Sequence, residues 1–91
     1  MSIQINIPTV LAALADGQRN MEARGSTLGE VVADVATRYP QLAPRLRDER
    51  GNPYKFVVFY VNDEDSRFHG GFQAPLHDGD EVTIVPAISG G

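Results

Sequence analysis

Asp78-Gly79-Asp80-Glu81-Val82-Thr83-Ile84-Val85-Pro86-Ala87-Ile88-Ser89-Gly90-Gly91 is the stretch whose reading decides the fold. It is a tight turn, a strand and a tail. Gly79 supplies the positive φ that such a turn needs. Val82 to Val85 is β-branched throughout, which suits a pleated, half-buried surface. The period of two puts Val82 and Ile84 on one face of the strand, with Thr83 and Val85 on the other. Pro86 stiffens the exit. The chain then stops on two residues without a Cβ, which can thread a narrow enzyme channel where a side chain would clash. The expectation is a strand held in the domain, a flexible tail over about residues 87–91, and an unhindered, reactive carboxylate at Gly91.

Working outward, Ile3, Ile5 and Ile7 alternate with Ser2, Gln4 and Asn6, as in a strand with one buried face. Asp16-Gly17 marks a turn, and Asn20 to Arg24 reads as a second, weaker strand completing an N-terminal hairpin with a longish loop. Thr27 and Glu30 have capping-box spacing. Leu28, Val31, Val32, Val35 and Tyr39 follow as one apolar helical stripe, and Pro40 closes the helix. Leu42 to Leu46 suggests a further helical turn. Phe56 to Val61 is continuously apolar and reads as a strand. Asn62-Asp63 starts a turn, Arg67-Phe68 reads as a short edge strand, and Leu76 plugs the core. Two hairpin-like arms can bury the helix stripe only by forming a mixed sheet across it. The simplest such sheet has the first and last strands parallel in its middle, joined by a connection spanning most of the chain. This is an α+β, β-grasp (ubiquitin-like) arrangement, a mixed sheet packed on one main helix within a single domain over residues 1–91.

Composition narrows the function classes. A chain of 91 residues has room for one modest core and no deep catalytic cavity. The formal net charge of -4 argues against nucleic acid as a partner and favours a basic protein surface. There is no Cys, hence no disulfide framework, thiolate metal site or cysteine nucleophile. No apolar run approaches membrane length and no signal peptide is visible, so a cytoplasmic location without membrane attachment is expected.

The order Val61-Asn62-Asp63-Glu64-Asp65-Ser66-Arg67-Phe68, then Pro75-Leu76-His77-Asp78-Gly79-Asp80-Glu81-Val82, then Ile84 to Gly91, resembles the ThiS/MoaD family of small sulfur-carrier proteins. Ser26-Thr27-Leu28-Gly29 at the helix start and the Asn-Asp-Glu-Asp turn resemble most the branch that serves cysteine biosynthesis. The resemblance implies that Gly91 is the covalent attachment point. An E1-like adenylating and sulfurtransferase enzyme would join its carboxylate to AMP using MgATP. Sulfur would then displace AMP to leave a thiocarboxylate. Ala87, Ile88, Ser89 and Gly90 would thread into partner active sites. A PLP-dependent cysteine synthase-type enzyme would accept the sulfur, and a metalloprotease would release the product. The protein would be a co-substrate with no catalytic site and no bound cofactor of its own. Two alternatives share this fold and tail: the small subunit of molybdopterin synthase, and a ubiquitin-like modifier conjugated through Gly91. Val85, on the open sheet face at the root of the tail, is the candidate docking residue.

Other residue types take plainer readings. His69 and His77 sit in polar loops without metal-ligand spacing. Asp63, Glu64 and Asp65 lack the ligand order of a calcium loop and read as a solvated turn. Arg45, Arg47 and Arg50 interleave with Asp48 and Glu49 as a solvated face.

Overall fold

The computed structural model describes residues 2–86. Its strands are β1 (Ser2–Asn6), β2 (Asn20–Arg24), β3 (Val57–Val61), β4 (Glu64–Asp65) and β5 (Glu81–Pro86). The helices are a single turn, α1 (Thr9–Ala12), and the main helix, α2 (Leu28–Arg38). The five strands form one sheet in the order β2-β1-β5-β3-β4. β1 and β5 are parallel and central, with Ile5 opposite Val82, and the remaining pairs are antiparallel. The expected mixed β-grasp sheet on one main helix is therefore the observed architecture.

Local chemistry explains these boundaries. Thr27 Oγ1 accepts from Glu30 N at 3.2 Å, and the Glu30 carboxylate accepts from Ser26 N at 2.8 Å and Ser26 Oγ at 2.9 Å. The helix start is thus tied at both ends of the box, and these bonds lower the Glu30 pKa, the Ser26 backbone bond most. Leu28, Val31, Val32 and Val35 are buried against Ile3, Ile5, Val82 and Ile84, with Leu42, Leu46 and Leu76 closing the core. A Cβ at Gly25 would stand 2.8 Å from both Glu30 Cβ and Val31 N, so β2 can approach the helix this closely only through a glycine.

Three expectations need correction. Arg67-Phe68 is not an edge strand. The edge strand is β4, and Ser66–Phe68 turns into a 3-10 helix because the Asp65 side chain accepts from Arg67 N at 2.9 Å. That local cap competes with continued pairing to β3. Phe56 is not a strand residue. It lies in a turn closed by Val57 N donating to Tyr54 O at 3.2 Å, and it is 49% exposed. The connection from β1 to β2 is also not plain loop, because α1 and a 3-10 turn at Ala13–Ala15 bury Leu11, Ala12 and Ala15. The segment after the main helix does contain the expected short turn, a 3-10 helix at Ala43–Arg45.

Candidate functional site: the root of the C-terminal strand

β5 is held along both edges, by β1 on one side and β3 on the other. Its start is fixed by a small polar network. Asp80 accepts from Asn62 Nδ2 at 3.0 Å and from His77 N at 2.8 Å, and Asn62 Oδ1 accepts from Glu81 N at 3.0 Å. These bonds, that from Asn62 foremost, hold the Asp80 carboxyl below the usual carboxylate range. Asn62 and Asp63 both have positive φ, 50° and 70°, which suits the two-residue hairpin turn joining β3 to β4. Gly79 has φ 89°, as its turn requires, and its N–H donates to Ser2 O at 2.9 Å, bringing the start of β1 into the same cluster.

The strand phase follows the sequence pattern. Val82 and Ile84 are buried at 1% and 3% exposure, whereas Val85 is 37% exposed. Val85 lies opposite Val58, and Thr83 opposite Tyr60, on the sheet face turned away from the helix. Beside them a shallow groove of about 300 Å³ runs along Asn6, Ile7, Pro8, Thr83, Val85 and Pro86, with mainly apolar walls. Asn6 Nδ2 donates to Thr83 Oγ1 at 3.2 Å and ties the β1 and β5 walls of this groove together. Sequence reasoning singled out Val85 and missed the rest. The exposed large apolar residues also include Val10, on α1 just after the end of β1, and Phe56, in the turn just before β3. With Val85 they belong to elements that meet where β5 ends. Val10 and Phe56 are distant from Val85 in sequence, so no local motif links them. The tail residues Ala87, Ile88, Ser89, Gly90 and Gly91 lie outside the described residues.

Elsewhere the polar residues serve structure. Asp65 holds Arg67 through three side-chain contacts, the shortest 2.6 Å to Nη2, and this bonding lowers the Asp65 pKa and raises that of Arg67. His69 Nε2 lies 3.0 Å from Glu64 Oε2, and His77 Nδ1 lies 3.7 Å from Asp80 Oδ2, each at an exposed turn. Asp48 accepts from Arg50 N and Asn52 N, so the charge run of residues 45–50 includes a local turn cap. Among the described residues no three His, Cys, Asp or Glu side chains are grouped to hold a metal ion. None of the described helices is long and apolar enough to cross a membrane.

The family model of ThiS matches residues 5–91. The chain belongs to the ThiS family. It is 44% identical over 93 residues to the sulfur carrier protein CysO of Mycobacterium tuberculosis, with both chains covered completely. Among solved structures it is similar to the Amycolatopsis orientalis CysO chain crystallised in a BexX/CysO complex. The TM-score is 0.89 at 42% identity, with 98% of this chain and 99% of that one covered. Small archaeal modifier protein 1 of Haloferax volcanii matches with a TM-score of 0.84 at 23% identity over the full length of both chains, a likeness of fold. The protein is thus a homologue of sulfur carriers with the ubiquitin-like β-grasp fold. These relationships support a carrier role.

Proposed function

We propose that the protein carries sulfur on Gly91 as a thiocarboxylate and delivers it in the biosynthesis of cysteine or a related sulfur metabolite. The observation that carries this reading is the full-length 44% identity to a sulfur carrier, in a fold that anchors the strand before a diglycine along both edges. A terminal carboxylate has a pKa of about 3.3–3.7 and is an unreactive anion at neutral pH. An E1-like partner would convert it with MgATP to an acyl-adenylate, releasing pyrophosphate. A persulfide sulfur would then displace AMP, and a thiol would attack the donor sulfur of the resulting acyl disulfide, forming a disulfide with it and releasing the thiocarboxylate. The chain's own contribution is presentation. β5 anchors the point from which the tail leaves the sheet, and the exposed Val85 beside the apolar groove would give the partner a surface to dock on. A PLP-dependent cysteine synthase-type enzyme would take the sulfur, and a metalloprotease would free the amino acid formed on the carrier. The BexX/CysO complex of the Amycolatopsis relative supports docking onto a partner protein.

The test is an intact-mass measurement after incubation with a cognate activating enzyme, MgATP and a sulfur source. A gain equal to sulfur minus oxygen, mapped to Gly91, is expected, and hydroxylamine added during turnover should leave a hydroxamate there. Deletion of Gly91 should abolish both products. Its effect on stability should be slight, since terminal residues make few contacts. Neither product from an enzyme active on its own carrier would refute the reading.

A further inference from the structure

The chain contains a single lysine, Lys55, against seven arginines. Its amine and the α-amino group are therefore the only amines that could accept an activated carboxyl group. Lys55 is exposed, in the turn that leads into β3, and its Nζ stands 5.0 Å from the centroid of the Phe56 ring. Such a cation–π contact holds an ammonium group at the surface without burying it. The second observation is the register: Val57 lies opposite Pro86, so the lone lysine sits two residues from the neighbour of the strand end that bears the tail.

We propose that Lys55 is an acceptor for the chain's own activated C-terminus, forming an intramolecular isopeptide bond between Lys55 Nζ and the Gly91 carbonyl carbon. This inference rests on the adenylation step proposed above. Paired Cα atoms across an antiparallel ladder are about 4.5–5.5 Å apart, and two residues add at most about 7 Å. The five residues after Pro86 can extend to about 17 Å, so the tail is long enough to close the ring with slack. A short tether gives a local amine concentration on the order of millimolar. At micromolar protein the chain's own lysine therefore outcompetes that of a second copy. In the step itself, once the tail has withdrawn from the enzyme channel with its acyl-adenylate intact, the neutral amine attacks the acyl-adenylate carbonyl and a C–N bond forms. The bond from carbon to the phosphate oxygen breaks, AMP departs with the electron pair, and the amine proton passes to solvent. Sulfur transfer consumes the same acyl-adenylate, so the ring accumulates when the sulfur supply fails. It would remove idle carrier from the activating enzyme.

The experiment uses the full chain at low micromolar concentration with activating enzyme and MgATP, with and without a sulfur source. Without sulfur, a monomer lighter by one water is expected, with the Gly91 peptide cross-linked to Lys55. Added sulfur should suppress it. Lys55→Arg keeps the charge and the ring contact but offers no amine that can be acylated under these conditions. It should lose the lighter species while still forming the hydroxamate at the wild-type rate. If hydroxamate forms but the water-loss species does not, the inference fails and the carrier reading stands. Persistence of that species in Lys55→Arg, or linked dimers in place of the lighter monomer, also overturns it. Absence of both hydroxamate and ring overturns the carrier reading and the inference together.

Discussion

Ile84 and Val85 are adjacent, similar in size and opposite in role, so substituting each in turn separates the fold from the docking surface. Ile84 is 3% exposed and packs in the core under α2, whereas Val85 is 37% exposed on the other face of the sheet. Truncating a fully buried isoleucine to alanine costs about 2–5 kcal/mol, the lost transfer energy plus a cavity. Truncating Val85 should cost less than about 1 kcal/mol, the span of strand preference at a half-exposed site. Total stability for a chain of this length is about 5–14 kcal/mol. Ile84→Ala should then lower the urea midpoint by about 1–3 M, and Val85→Ala by less than about 0.5 M. Aspartate makes the contrast larger. At 84 it would bury an unpaired charge at a cost of several kcal/mol and leave little folded protein. At 85 the carboxylate stays in water, so the domain should remain folded while its affinity for the activating enzyme falls about tenfold or more, the loss of one central apolar anchor. Urea melts followed by circular dichroism, with calorimetric titration of the folded variants, give both readings. Equal midpoint shifts for Ile84→Ala and Val85→Ala would show the strand phase to be wrong. Undiminished binding of folded Val85→Asp would show the docking face to be wrong.

Asp80, whose pKa is lowered in the folded state, should contribute stability that is fully present above the unfolded value of about 3.9 and fades as pH falls through the folded value. Asp80→Asn should therefore be less stable than wild type at neutral pH, and the two should converge toward pH 2 in chemical melts. A gap that stays constant with pH would contradict that assignment. Gly25→Ala places a Cβ 2.8 Å from Glu30 Cβ and Val31 N, and overpacking of this kind costs about 1–3 kcal/mol. A thermal midpoint at or above wild type would mean that β2 and the helix start can separate freely.

Most of the fold was legible because the periods in the chain change where the structure changes. Ile3, Ile5 and Ile7 mark one buried face, Thr27 and Glu30 mark the helix start, and Val82 and Ile84 mark the phase of the last strand. Where the reading failed, a local bond overrode the apolar pattern. Asp65 caps Arg67 and curls a segment that otherwise reads as extended. Phe56 prolongs an apolar run past the true strand end, and periodicity does not see the turn that removes it. α1 is a single turn, too short to nucleate alone, and it forms because Leu11 and Ala12 are buried in the fold. Val85 was readable as a docking candidate because it lies near the end of the last strand with its side chain out of phase with Val82 and Ile84. The nearness of the Val10 and Phe56 segments to that strand end was not, since only the completed sheet brings them there.

The parallel, central pairing of β1 with β5 has a mechanical consequence. A partner that grips the C-terminus pulls along β5, while the rest of the domain resists through the ladders on both of its sides. The load is then in shear, and several hydrogen bonds must fail at once, unlike an edge strand peeled off one bond at a time. A strand seated this way can bear repeated pulls along its axis while the domain behind it stays folded.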